Sequence, residues 1–405
     1  MSVIGRDTSF DQCIKCTVCT VYCPVARENP DFPGPKECGP DGERLRFKSP
    51  MFYDETLKEC TNCKKCETAC PSGVKIGDLI AVAQKEYKKK TYNLKTLRNF
   101  VLSHTDLFGT LMTPIAPIVN YSTSLPIVKK VMHHTIGVDE HKALPQYSSR
   151  TFRHWYKKSV PDQSKFKRQI HYFHGCYVNY NNPQLGKDFI RVMNAMNIGV
   201  QLLEKEKCCG IPLIVNGFFD KAKSNADFNI KHFEKALDKL DAPIITGSSS
   251  CQLTLQQEYP HVLNVDNSSV VNSLEFVTRF ILKEIMNGNG PKMKPINKKM
   301  VYHTPCHLER NGGTLYTIEL LRAIPGLDLV VLDSNCCGIA GTYGFKKENY
   351  DVSVGIGKPL FDQVKSITDA DNAITDCETC KWQIDENTQL TTLHPLTLIC
   401  QALDD

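Results

Sequence analysis

The chain has 405 residues, 41% of them hydrophobic, and a formal net charge of +5. That length supports two or three domains with cores of their own, and the hydrophobic share excludes a disordered chain. A charge so mild gives no footing for nucleic-acid binding and suits an acidic protein or an anionic lipid surface.

Met1 to Cys13 carries Arg6, Asp7 and Asp11 and no apolar run, so no secretory leader is expected. The 19 cysteines then read as reduced thiols free to bind metal, in place of a disulfide framework. The first run is Cys13-Ile-Lys-Cys16-Thr-Val-Cys19-Thr-Val-Tyr-Cys23-Pro24, and its twin is Cys60-Thr-Asn-Cys63-Lys-Lys-Cys66-Glu-Thr-Ala-Cys70-Pro71. Both read C-x2-C-x2-C-x3-C-P, the run that wraps a [4Fe–4S] cluster and lends its fourth cysteine to the neighbouring one. One cluster is therefore assigned to Cys13, Cys16, Cys19 and Cys70, the other to Cys60, Cys63, Cys66 and Cys23. Zinc needs only four ligands and has no use for a third spaced cysteine, a fourth and a proline, all duplicated.

Residues 1–95 form this first domain. The gap between the runs holds Pro30, Pro33, Pro35 and Pro40 and is longer than in a compact two-cluster ferredoxin. It is more similar to the helical ferredoxin domain of respiratory iron–sulfur subunits. Ile76 to Tyr87 is predicted as a helix, with Ile76, Leu79, Ile80 and Val82 on one face, and Lys88-Lys89-Lys90 as its solvated end.

Residues 96–168 form a connector that is a candidate membrane or partner contact. Leu107 to Val128 carries no formal charge but contains Pro114, Pro117 and Pro126. It is a poor membrane span and suits an interfacial or buried segment. Arg150 to Arg168 interleaves seven cations with Phe152, Trp155, Tyr156 and Phe166. Two readings stay open there: a membrane-interface contact, or aromatics packed on a domain under a solvated basic surface.

The remainder repeats itself. His174-Gly-Cys176 matches Thr304-Pro-Cys306, Cys208-Cys209-Gly210 matches Cys336-Cys337-Gly338, and Ser248 to Cys251 matches Cys377 to Cys380. Each pair is about 129 positions apart (306−176, 336−208, 380−251). Two copies of one domain are expected, at 169–287 and 291–405, joined by Asn287-Gly-Asn-Gly-Pro291. Strands are predicted at 169–173, 200–203 and 243–246, then at 300–303, 327–332 and 373–375, with a helix over 183–196. Alternation of strand and helix implies parallel sheets, whose sites form beyond the strands' carboxyl ends. Every cysteine group of the repeat falls there.

The second copy offers Cys306, Cys336, Cys337, Cys377 and Cys380 as metal ligands. The first offers Cys176, Cys208, Cys209 and Cys251, with Ser248 where a fifth cysteine would stand. Gly210 and Gly338 are expected where backbone presses on a bound group. His174, His303 and His307 flank the strand-end cysteines and are candidate proton donors, the alternative being a strand cap or a hydrogen bond to sulfur. Cys38 and Cys400 fall outside every pattern and read as ordinary thiols. No G-x-G-x-x-G fingerprint and no P-loop occur, so flavin, nicotinamide and ATP are expected on other chains.

The C-x(n)-CCG-x(n)-C-x2-C pattern resembles the domain found in the B subunit of heterodisulfide reductase, which implies a non-cubane [4Fe–4S] cluster in the second copy and a further iron–sulfur cluster in the first. Over nearly its full length the chain resembles the C-subunit family of the anaerobic glycerol-3-phosphate dehydrogenases. Leu97–Leu107, His171–Gly186, DSNCCGIAGTYGFKK at 333–347 and TDCETCKWQ at 375–383 carry that likeness. The resemblance implies an α + α/β chain: a helical ferredoxin domain with two [4Fe–4S] sites, then two tandem α/β cysteine-cysteine-glycine domains. It further implies a flavin-bearing A subunit and a B subunit as partners, menaquinone as acceptor, and a peripheral place on the cytoplasmic side of the inner membrane. A thiol–disulfide redox subunit, or the iron–sulfur subunit of a lactate or glycolate dehydrogenase, shares the same architecture.

Overall fold

The computed structural model describes residues 9–49, 55–87 and 93–404. Lys88-Lys89-Lys90 and the stretch before Ser9 lie outside the described residues. The N-terminal part is built of short helices, as its prolines and cysteine loops require. The helix Ile76–Tyr87 spans the predicted residues and buries Ile76, Leu79, Ile80 and Ala83 against Val25, Phe32 and Leu57.

The repeat folds into two parallel sheets. The first contains β1 (Arg168–Phe173), β2 (Ile198–Leu202), β3 (Ile244–Thr246) and β4 (Leu274–Phe276), in the order β2-β1-β3-β4. The second contains β5 (Lys299–Tyr302), β6 (Asp328–Val331), β7 (Asn372–Ile374) and β8 (Thr392–Leu393), in the order β6-β5-β7-β8. The orders are the same, strand for strand, and so is the register: Tyr172 lies opposite Ile245, and Tyr302 opposite Ile374. In both, the chain leaves the first strand toward one edge and then returns to its other side. A crevice opens at that switch, beyond the strands' carboxyl ends.

Parallel sheets need cover on both faces. The inner faces share one core, in which Phe189, Val277 and Ile281 of the first copy meet Ile318, Leu321 and Leu398 of the second. Helix Pro183–Ala195 packs on Pro395–Ala402, and Val277–Met286 on Thr314–Arg322. Each such buried aliphatic or aromatic side chain contributes about 1.5–3 kcal/mol relative to exposure. The outer faces are covered by Phe219–Lys239 in the first copy and Tyr350–Ser366 in the second.

Between the ferredoxin part and β1 run the helices Leu94–Ser103, Thr105–Met112, Ala116–Ser124 and Pro126–Thr135. Pro117 and Pro126 sit in the first turn of their helices, where a missing N–H costs nothing. No described helix is long and apolar enough to cross a membrane. These helices nevertheless leave Leu97, Leu107, Leu111, Ile115, Ile118, Tyr121 and Ile127 exposed, Ile118 and Tyr121 at 67% and 68%. The aromatics of the basic segment behave differently. Phe152 is fully buried beside Trp155 and Tyr172, and the Tyr156 hydroxyl donates to the Val200 carbonyl at 2.5 Å. They pack on the first copy under a basic surface, and the exposed apolar surface lies earlier in the chain.

Candidate iron–sulfur sites

Two loops share one unusual backbone. Lys15 and Thr17 in the first cysteine run, and Asn62 and Lys64 in the second, all have positive φ, between 54° and 64°. Four non-glycine residues in the left-handed region, at matching places, are strained unless something over-determines them. Alternating left- and right-handed residues turn successive amides inward, a concavity suited to a negatively charged group.

The cavities inside these loops sort the thiols. One is lined by Cys13, Cys16, Cys19 and Cys70. The other is lined by Cys60, Cys63, Cys66 and Cys23. Each loop therefore meets the fourth cysteine of its twin. Cys23 caps the helix Pro24–Glu28, its sulfur accepting the Ala26 N–H at 3.5 Å. Cys70 instead enters a turn, closed by the Gly73 N–H on its carbonyl at 3.2 Å. Cys16 is exposed, whereas Cys23 and Cys66 are buried.

In the first copy, Cys176, Cys208, Cys209 and Cys251 are linked sulfur to sulfur, Cys176 to Cys208 at 3.7 Å. In the second, Cys306, Cys336, Cys337, Cys380 and Cys377 form the corresponding chain, with Cys337 to Cys380 at 3.2 Å. Ser248 occupies the backbone position of Cys377: both precede a helix with ψ of 120°. The Ser248 hydroxyl accepts the Cys251 N–H at 3.4 Å, and it donates to Glu378 at 3.2 Å.

These sets adjoin. Cys306 and Cys336 belong to the same core as Cys23 and Cys66, and Cys63 lies in electrostatic reach of Cys336. Lys65, between Cys63 and Cys66, donates to Glu309 at 3.0 Å and to the Ser334 carbonyl at 2.9 Å in the second copy. Glu378 in turn lies in reach of both Cys377 and Cys251. The first copy meets the connector, where the Cys208 N–H donates to Asp106 at 2.7 Å. Gly109 on that helix lies so close to the Tyr180 ring that a Cβ would enter it.

The three histidines occupy different settings. His307 joins all three parts of the chain: its Nε2 donates to the Asn62 carbonyl at 3.1 Å, and its Nδ1 accepts from Ser250 at 3.0 Å. Burial pushes its pKa down. His174 donates from Nδ1 to the Gly175 carbonyl at 2.9 Å, with the Glu206 carboxylate 3.0 Å from the same nitrogen, and its Nε2 is unpartnered. His303 is fully buried, both ring nitrogens are unpartnered, and burial pushes its pKa down to about 4. Gly210 and Gly338 both have positive φ, of 104° and 84°. The reason for Gly338 differs from the expected one. A Cβ there would be driven into the Ser353 carbonyl oxygen of the helix Tyr350–Ser366, so close backbone packing excludes a side chain.

Sequence reasoning passed over an ionic hub beside the second loop. Lys64 is buried against Asp78, with Glu67 and Glu258 each at 3.6 Å. Burial alone would depress the ammonium's pKa, but these carboxylates offset it and hold it well above the ordinary value. Arg310 joins Glu67 at 3.0 Å, and Asn62 donates to Glu258 at 2.6 Å, so the hub ties the loop to both copies. Lys64 and Glu67 were both visible in the second cysteine run, one turn apart; Asp78 and Glu258 lie farther off in sequence and carry no local signal.

The donor sets fit iron–sulfur clusters. Burial drives the thiols of Cys60 and Cys63 up to about 11 and 12, so they shed protons only to a cationic centre among them. Residues 9–74 match the 4Fe-4S dicluster domain family, and residues 170–256 and 300–385 each match the Cysteine-rich domain, CCG. The chain is 56% identical to the C subunit of anaerobic glycerol-3-phosphate dehydrogenase of Escherichia coli, over 98% of this chain and all of the relative. It is 26% identical to the B subunit of fumarate reductase (CoM/CoB) of Methanothermobacter marburgensis, over 93% of this chain and 67% of the relative. It is 25% identical to the D subunit of dihydromethanophenazine:CoB–CoM heterodisulfide reductase of Methanosarcina barkeri, over 92% of this chain and 87% of the relative. With a dicluster domain followed by two cysteine-rich domains, and with that identity over nearly the whole chain, this protein belongs to the C-subunit family of the anaerobic glycerol-3-phosphate dehydrogenases.

Proposed function

We propose that this chain is the electron-transfer subunit of such a dehydrogenase, drawing electrons from a flavin-bearing A subunit and its B partner and delivering them to menaquinone. The observation that carries this reading is the unbroken succession of cysteine sets. It begins at exposed Cys16 and passes the set of Cys23, Cys60, Cys63 and Cys66, of which Cys23 and Cys66 are buried and Cys60 and Cys63 half-buried. The second copy follows, through Cys336, and then the first, through Glu378. Two [4Fe–4S] clusters in the ferredoxin part, a non-cubane one in the second copy and a further cluster in the first would each take and release single electrons there. The protein's own contribution is to hold these sets side by side, to keep water out and to aim the loop amides inward. Substrate oxidation belongs to the partners.

The last set in the series lies behind the helix Thr105–Met112, which presents Asp106 to Cys208 and exposes Leu107 and Leu111 on its surface. A helix is only about 10–12 Å across. Exposed apolar side chains with Lys130 beside them suit a lipid surface of the inner membrane, the natural store of an apolar quinone. The test is the complex on liposomes carrying a menaquinone analogue. A Leu111→Glu/Ile118→Glu variant should lose vesicle binding and quinone reduction by tenfold or more while dye reduction persists. Undiminished quinone reduction would overturn the membrane step. A second reading, thiol–disulfide reduction, is favoured by the five-thiol second copy and by the relative named as part of a heterodisulfide reductase. Turnover of a disulfide by the complex, with none of quinone, would establish it.

A further inference from the structure

The two copies share a strand register, and this makes one exchange between them informative. One residue beyond the matched tyrosines, the first copy has Phe173 and the second has His303. Both rings are fully buried. Phe173 fills the core beside Cys208 and Cys209 and satisfies it by shape alone. His303 brings two nitrogens into the same place, and neither has a hydrogen-bond partner. An imidazole buried in this way is destabilising relative to an apolar ring of similar shape, so packing does not account for it. One of its nitrogens, Cys337 Sγ and Cys380 Sγ all lie within 4.8 Å of one another. The ring makes no direct hydrogen bond to either sulfur. The three donor atoms nevertheless converge as the ligands of one small ion do, and imidazole with thiolate is a common donor pair for iron.

We propose, building on the reading of the second copy as an iron–sulfur site, that His303 is a ligand of that metal centre and its one nitrogen donor. The second copy then has Cys306, Cys336, Cys337, Cys377, Cys380 and His303, against Cys176, Cys208, Cys209 and Cys251 in the first. The copies differ in the chemistry of their donors as well as in number. A neutral imidazole bonded to iron withdraws negative charge relative to thiolate and shifts the potential of that centre alone.

The experiment uses the full chain, purified anaerobically and grown with isotope-labelled histidine, with pulsed EPR and an optical redox titration as readouts. The signal to follow is the one that Cys336→Ala removes. In the wild type it should carry the strong hyperfine coupling of an iron-bonded histidine nitrogen. In His303→Phe that coupling should vanish and the midpoint should move, with both ferredoxin-type signals unchanged. The phenylalanine is the first copy's own residue, so the fold has a precedent for it, and His303→Gln provides a second, polar variant. Absence of strong coupling in the wild type, or its survival in both variants, overturns the assignment of His303. Iron and sulfide contents that Cys336→Ala leaves unchanged would instead overturn the reading of the second copy as a metal site, and the ligand with it.

Discussion

The two cysteine-rich copies have the same sheet, the same strand order and the same register, yet their strand ends have diverged. The second faces the ferredoxin part, with five thiols and a buried histidine. The first faces the connector, with four thiols and a serine where the fifth would be. Ser248 shows how cheaply such a change is made, because its hydroxyl caps the helix Ser249–Leu253, whereas Cys377 precedes the counterpart helix Glu378–Asn387 without capping it. Both exchanges, Ser248 for Cys377 and Phe173 for His303, fall at the carboxyl ends of strands, where the sites of parallel sheets form. A parallel sheet tolerates new chemistry at its carboxyl edge because that edge contributes little to its stability.

The most severe test of this contrast strikes the hub that holds the ferredoxin part against both copies. Lys64→Met leaves Asp78, Glu67 and Glu258 buried without their cation. A loss of about 3–5 kcal/mol is expected in anaerobic denaturant unfolding. A change below about 1 kcal/mol would mean that the three parts are held by other contacts.

A smaller effect sharpens the contrast between the glycines that follow each cysteine pair. Alanine at Gly210 or Gly338 incurs the left-handed penalty of about 1–2 kcal/mol. At Gly338 it also meets the backbone of the next helix, whereas at Gly210 the nearest atom is Ala222 Cβ at 3.5 Å. Gly338→Ala should therefore be worse than Gly210→Ala by about 1–3 kcal/mol in paired thermal melts. Equal melting shifts would show that the second copy yields at that helix.

The smallest effect concerns how the connector is tied to the second copy. Arg98 donates to both oxygens of Glu348, at 2.8 and 3.0 Å. Burial alone would raise that carboxyl, but Arg98 holds it down to about 2, below its ordinary 4.5. A depressed carboxylate stabilises the fold above its ordinary pKa, and the benefit is lost as pH falls through that window. The partly exposed pair should make the wild type more stable than Arg98→Gln by about 0.5–1 kcal/mol at neutral pH. The difference should fade between pH 4.5 and about 2. A gap that widens on acidification would reverse the sign and break the assignment.

Much of this was legible because cysteine spacing and duplication are local and regular. The swapped fourth cysteines could be read from the run itself, and the cavities group those residues together. Six of the eight strands among the described residues could be placed, since each preceded a cysteine group. Leu274–Phe276 and Thr392–Leu393 were not, being too short for a period and followed by no such marker. Charge and aromaticity left two readings open at 150–168, because composition cannot say which way Phe152 points; its burial decides for packing on the first copy. Asp106 carried no signal, since its partner is a backbone amide about a hundred positions away (208−106).

Because His307 and Glu258 both bond Asn62, the loop that lines the inner ferredoxin pocket gains its braces only when segments synthesised long after it have docked. The outer loop at exposed Cys16 imposes no such order. Maturation of the inner cage is thus tied to the timing of synthesis, and that of the outer one is not.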